Sequence, residues 1–291
     1  MIKTQLRYRF IVFILLISRV SGPRVANFVI SPMTSVARRN FIRRKYEFMM
    51  TNAREALPGR EEDEYHSIIK GSVDHIKSFL VRNLCGLGNC LKSTEVFDEA
   101  VIDSVITGED NGAVVITSHQ GDWETLIQYF RNREDITACN LYRKPKCPVV
   151  DRLLREKRGI NQYCSGYGIM KQFKGASTKK VFALIGVDQK PVNKGVEVQF
   201  LNRPTVISPV SVQIALKANV PVIIAKTLIK ENRAEISFRK VDMPKLDQLS
   251  SDEKVRVSLQ AVMDEISNDI GEHPEQWVMW SHNFWKQKRA A

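Results

Sequence analysis

From residue 113 onward, short apolar runs alternate with stretches of helical spacing. AVVIT (113–117), ITACNLY (136–142), VFALIGVD (181–188), VEVQFLN (196–202), VPVIIAKTLI (220–229) and EISFRKV (235–241) are rich in β-branched residues and bounded by Gly, Pro or charged positions. Each predicts a strand. Between them the apolar period lengthens. WETLIQYFRN follows the first run, and VVDRLLREKRG closes on basic residues and Gly159, as helix C-termini do. SPVSVQIALKAN offers Ser208 as an N-cap, Pro209 at the first helical position and Asn219 at the end. Further on, Val255, Leu259, Val262, Ile266 and Ile270 fall on one helical stripe that closes at Gly271. Strands alternating with helices predict an α/β fold, a mixed sheet flanked by helices. The residues before 110 read as mostly helical. No linker separates them from the rest, and the chain divides into a basic segment over 1–60 and an α/β domain over 61–291.

The opening segment is distinctive. Its pure apolar run, Phe10 to Ile17, spans eight residues, where a membrane span needs about 20. Arg19 and Arg24 interrupt it and Gly22-Pro23 breaks it. Mixed basic and apolar residues of this kind suit a helix lying in the headgroup region of a bilayer. A helix packed on the domain and a cleaved signal peptide are the competing readings. Over 37–50, Phe41, Tyr46, Phe48 and Met49 interleave with Arg38, Arg39, Arg43, Arg44 and Lys45, a basic amphipathic pattern that also suits a solvated helix face.

Charge sharpens this picture. The chain of 291 residues carries a net +12, and residues 1–60 hold 12 Lys/Arg against 2 Asp/Glu. The excess therefore sits at the N-terminus. A nucleic-acid groove would spread it along the fold among stacking aromatics, so the distribution points to an anionic membrane surface and to no nucleic acid. Five cysteines form no CxxC pair and give no zinc spacing.

The candidate chemistry stands at the end of the first strand, in VVITSHQGDWE (114–124). His119 and Glu124 form H-x-x-x-x-E, with Glu124 in the first turn of the helix that follows and Gly121 free to turn the backbone between them. A carboxylate that accepts from one imidazole nitrogen fixes the tautomer and leaves the other nitrogen as a general base. The spacing predicts that Glu124 orients His119. The bland alternative makes Asp122 an N-cap, Glu124 a first-turn acid and His119 a loop residue. No G-x-S-x-G elbow is present, so the base would activate an external hydroxyl or water. His66 and His75 fall in a polar helical stretch and read as solvated, and His282, between two tryptophans, reads as structural.

Four ordered blocks resemble the bacterial late lipid A acyltransferases of the lauroyl/myristoyl type. SHQGDWE (118–124) is similar to that family's S-H-x-G-N-W-E, with Asp122 in place of Asn, and YRKPKCPVVDRLLREKRG (142–159) to a downstream Y-R-P block. Residues 186–225 resemble a third block and PEQWVMWSHNFWK (274–286) a C-terminal Trp/His/Trp-Lys signature. The resemblance implies a glycerolipid-acyltransferase-like fold and transfer of a fatty acyl group from acyl carrier protein to a hydroxyl of a lipid A precursor. It implies no cofactor, and a place at the cytoplasmic face of the bacterial inner membrane. Arg158 matches the second-block arginine and Asp188 the third-block aspartate. With Arg143 and Asp122 they are expected to position substrate, while His119 and Glu124 act as the catalytic pair. Another glycolipid or lysophospholipid acceptor, or a non-catalytic lipid-binding role, remains open at this level.

Overall fold

The computed structural model describes residues 45–84, 93–145, 147–175, 178–191, 194–282 and 285. Helix α1 (45–56) and α2 (Glu62–Leu84) lead into β1 (Thr94–Phe97) and α3 (Ala100–Thr107). The central run is β2 (Gly112–Thr117), α4 (Trp123–Arg131), β3 (Ile136–Leu141), α5 (Pro148–Arg158), β4 (Asn161–Tyr163), α6 (Gly166–Gly175) and β5 (Lys180–Gly186). Then come the hairpin β6 (Val196–Phe200) and β7 (Arg203–Ile207), α7 (Val210–Ala218), β8 (Val222–Lys230), β9 (Arg233–Lys240) and α8 (Ser251–Glu272), followed by 3₁₀ turns at Pro274–Gln276 and Met279–Ser281.

Seven strands form one sheet in the order β1-β9-β8-β2-β5-β3-β4. The strands β8, β2, β5, β3 and β4 run parallel, and β9 is antiparallel to β8, with β1 parallel to β9. The sheet is thus mixed and flanked by helices, as the alternation predicts. Both faces are covered, which is why its central strands read as continuous apolar runs. Along β2, Val114 and Ile116 enter one core with α1, α7 and α8, while Ala113 and Val115 enter another with α3 and α4.

Three features escaped the sequence reading. The edge strands β1 and β4 are short, and β7 contains Pro204 opposite Gln199, tolerable in a hairpin that no third strand joins among the described residues. That hairpin turns on Leu201 and Asn202, both left-handed (φ 49° and 60°), so the predicted strand over 196–202 ends two residues early. Helix α8 starts from a capping box, Ser250 with Glu253, ahead of the periodic stripe. Gly159 and Asn219 cap α5 and α7 in the left-handed conformation, as expected.

The proposed membrane-anchoring segment lies outside the described residues up to 44. Its remainder behaves as part of the domain: Met49, Met50, Ala53, Ala56 and Leu57 are buried in the core shared with α7 and α8. Asn52 donates to the Trp280 carbonyl at 2.8 Å, which ties α1 to the C-terminal turns. A division at residue 60 therefore does not separate two packing units. Among the described residues no helix is long and apolar enough to cross a membrane.

Candidate active site

The carboxyl ends of β2, β5 and β3 open on a common crevice, the place where parallel sheets bind ligands. β2 delivers His119, β5 delivers Asp188 and Gln189, and β3 delivers Tyr142 and Arg143. The register explains the meeting: Thr117 stands opposite Gly186, so the two strands end level and their next residues face each other.

His119 is held at three points. Its Nδ1 lies 2.6 Å from Asp188 Oδ1, and its backbone N–H donates to Asp188 Oδ2 at 2.7 Å. Its carbonyl accepts from Val278 N–H at 3.1 Å. The edge of the ring meets Trp123, with centroids 4.9 Å apart. Gly186 leaves the ring its room, since a Cβ there would lie 3.2 Å from Cε1. Asp188 is completely buried and also accepts from Trp277 Nε1–H at 2.7 Å. A carboxylate with these donors takes Nδ1–H and leaves Nε2 with a lone pair facing the crevice.

Burial disfavours a proton on His119, but the charge and hydrogen bond of Asp188 outweigh it, and the imidazole pKa is raised from 6.5. Burial also works against the charge on Asp188. The His119 imidazole, the Trp277 N–H and the His119 backbone N–H prevail there and hold its pKa below 3.8.

The orienting contact expected of Glu124 is therefore made by Asp188. Glu124 sits in the first turn of α4, and its carboxylate is gripped by Arg158, with Nε to Oε2 at 3.0 Å and Nη2 to Oε1 at 2.5 Å. Arg158 also donates to Gln162 Oε1 at 3.2 Å. The guanidinium is in reach and His119 Nδ1 is already taken, so the bidentate ion pair claims Glu124. Glu124 still raises the His119 pKa through space, and Arg158 lowers it. Arg158, the last residue of α5, turns inward instead of solvating the helix end.

Asp122 precedes α4 but makes no side-chain cap. Arg82 Nε (3.2 Å) and Asn83 Nδ2 (3.1 Å) of α2 bind its carboxylate. Lys157 reaches Asn83 Oδ1 at 2.6 Å, and burial lowers its pKa. Asp122 thus docks α2 against the site loop and is itself buried. Arg143 is exposed, lines the crevice, and donates to the Lys190 carbonyl at 2.9 Å, steadying the loop that carries Asp188.

The loop between β2 and α4 is rigid for visible reasons. Gly121 has φ +59° and a Cβ would fall 2.1 Å from the Thr227 carbonyl, so only glycine fits. Thr227 donates to the Gln120 carbonyl at 2.6 Å, and Gln120 Nε2 donates to the Asp269 and His273 carbonyls at 3.0 Å each. His75, read as solvated, is tucked here: its Nε2 bonds the Gly121 carbonyl at 2.8 Å and burial lowers its pKa. His66 stacks on Tyr46 and bonds its hydroxyl.

The crevice beside His119 Nε2 encloses about 160 Å³. Ile127, Leu141, Leu154 and Ile185 supply its apolar lining and Ser118, Asn140, Arg143, Arg158 and Gln189 its polar lining, so the crevice is mixed in character. Gln189 Nε2 lies 3.0 Å from His119 Nε2. Sequence reasoning overlooked Gln189 and the Trp277 hydrogen bond. Gln189 follows Asp188 directly, but no spacing rule marks an amide as functional. Trp277 lies in the C-terminal block, 89 residues from its partner.

Fold and site together define an α/β protein with a carboxylate-oriented histidine at the mouth of a crevice of mixed apolar and polar lining. The chain belongs to the bacterial lipid A biosynthesis acyltransferases, whose family model matches residues 3–287. Comparison with curated proteins gave no match. Membership makes the protein an acyltransferase of lipid A biosynthesis, with an acyl donor and a lipid acceptor.

Proposed function

We propose that this acyltransferase moves a fatty acyl group from an acyl carrier protein thioester to a hydroxyl of a lipid A precursor, with His119 as general base. One observation carries the reading: Nδ1 is locked on buried Asp188 while Nε2 faces a crevice lined by both apolar and polar side chains. His119 takes the acceptor's hydroxyl proton as the oxygen attacks the thioester carbonyl. Asp188 fixes the tautomer and stabilises the imidazolium that forms. The imidazolium then protonates the departing thiolate. The apolar side chains of the lining suit an acyl chain, and the polar ones suit the reacting carbonyl and hydroxyl.

Glu124 and Arg158 support this machinery as a buried ion pair beside the base, and Asp122 holds the site loop through α2. Arg143, exposed at the rim, would meet a phosphate of the acceptor or carrier. The basic N-terminus suits an anionic bilayer at the cytoplasmic face of the inner membrane and the acidic surface of a carrier protein.

The test is acyl transfer by the purified protein in detergent, from carrier-protein and coenzyme A thioesters to lipid A precursors and lysophospholipids. Transfer to a lipid A precursor that falls by about 10²–10⁴ in His119→Ala supports the reading. Transfer to lysophospholipids alone would replace the acceptor, and activity surviving His119→Ala would remove the mechanism.

A further inference from the structure

The base is not bare. Gln189 lines the crevice and places its side-chain nitrogen 3.0 Å from His119 Nε2, the atom that must receive the proton. Asp188 accepts from Nδ1–H, so Nε2 carries a lone pair and can only accept. The group facing it must then be the Gln189 N–H₂, which settles the orientation of the amide. This bond is specific to the neutral imidazole. Once Nε2 gains a proton it becomes a donor, and two donors cannot stay in contact.

We propose that Gln189 is a catalytic residue whose side-chain N–H, displaced from His119 Nε2 when the acceptor hydroxyl takes that lone pair, binds the oxyanion of the tetrahedral intermediate. This rests on His119 being the base. The acceptor O–H proton passes to Nε2, the acceptor oxygen bonds the thioester carbon, and the carbonyl electron pair moves onto oxygen. That oxygen develops beside the new O–C bond, within a side-chain rotation of the Gln189 amide. On collapse the carbonyl re-forms, the C–S bond breaks, and the proton on Nε2 goes to the leaving sulfur. With Nε2 again a lone pair, Gln189 returns to it. The donor is thus engaged with the base before the reaction and free when negative charge appears, which limits the reorganisation left for the charged step.

The loop is built to hold this amide in place. Asp188, the preceding residue, is fixed by His119 and Trp277, and the following residue, Lys190, has its carbonyl bound by Arg143. Gln189 is only half-buried, so its side chain has space to rotate.

The test uses the full chain in detergent with dodecanoyl-coenzyme A, following both thiol release to water and transfer to a lipid A precursor. Gln189→Leu keeps the size and removes the donor. Gln189→Glu keeps the shape and puts an acceptor there, and a thermal melt confirms that each is folded. Turnover should fall roughly 10²–10³-fold in both, with KM within about threefold. A second readout does not depend on turnover: ¹⁵N-histidine NMR of the resting protein. Removing a donor that favours neutral imidazole should raise the His119 pKa in Gln189→Leu, where a merely structural side chain would leave it unmoved. Turnover within about threefold of wild type in either folded variant, or a His119 pKa that is unchanged or lowered in Gln189→Leu, overturns the proposal. The His119→Ala protein separates the two levels. If it turns over like wild type, the base reading fails and takes this one with it. If it is inactive while Gln189→Leu is not impaired, only the role of Gln189 falls.

Discussion

Replacing Asp188 with Asn isolates what the buried carboxylate does. Asp188 Oδ2 accepts from the His119 backbone N–H and from Trp277 Nε1–H, both at 2.7 Å, and Oδ1 accepts from His119 Nδ1–H at 2.6 Å. An amide has one oxygen. Placed at Oδ2 it keeps two donors satisfied, and its N–H₂ then faces Nδ1. The imidazole must switch its proton to Nε2 to accept that bond, which removes the lone pair needed to take a proton from the acceptor. The expected loss in kcat is about 10³–10⁴. The stability cost is smaller. Hydrogen bonds to a charged group contribute about 1.5–3 kcal/mol each and neutral ones about 1, while an amide is easier to bury than a carboxylate. A net destabilisation of roughly 1–3 kcal/mol follows. Asp188→Ala is a poorer probe, because it orphans the Trp277 and His119 donors and confounds activity with folding. Acyl-transfer kinetics, a urea titration and ¹⁵N-histidine NMR read the three effects separately. A variant with kcat within about tenfold of wild type and Nδ1 still protonated would refute the tautomer argument.

Other outcomes follow from the same contacts. As the proposed base His119 must be neutral to act, and its pKa is raised above 6.5, so kcat/KM should fall as pH drops through a value higher than 6.5; Asp188→Asn should move that limb down, and a pH profile of both proteins checks it. The pair's linkage has a definite window. The His119 contribution is present below 6.5 and lost as pH rises through its raised pKa, while that of Asp188 is present above 3.8 and lost as pH falls through its lowered pKa. The stability gap between wild type and Asp188→Asn should therefore be widest between those two values, as urea titrations across pH would show. The Glu124–Arg158 pair is nearly buried, at 5% and 12% exposure. Glu124→Gln or Arg158→Met alone should cost about 3–5 kcal/mol, and the double variant less than either; chemical denaturation of the set decides it, and a double variant as unstable as the sum would contradict the ion-pair account. Gly186→Ala places a methyl 3.2 Å from His119 Cε1. It should lower kcat about tenfold by displacing the ring, with little change in melting temperature.

What the amino-acid sequence determined by itself is the local part of this protein. The β-branched runs between helical periods identified six of the nine strands among the described residues and the helices α4, α5, α7 and α8, but not α6 (Gly166–Gly175), because backbone preference and apolar period are properties of neighbours along the chain. They failed where a strand was too short to show a period, as at 94–97 and 161–163, or contained Pro204. His119 was legible because a histidine, a glycine and two carboxylates crowd one strand end. Its partner was not. Glu124 is five residues away and looked like the orienting acid, while Asp188 is 69 residues away. Only the sheet, by placing β5 beside β2 in a register that ends both strands level, brings Asp188 and Gln189 to the imidazole. Only the packing of α5 on α4 brings Arg158 to Glu124 and removes that carboxylate from contention. Hydrogen bonds act over about 3 Å of space, whatever the separation along the chain. The histidine proposed as the base was therefore legible locally, and the choice of the group that orients it was made by the tertiary structure.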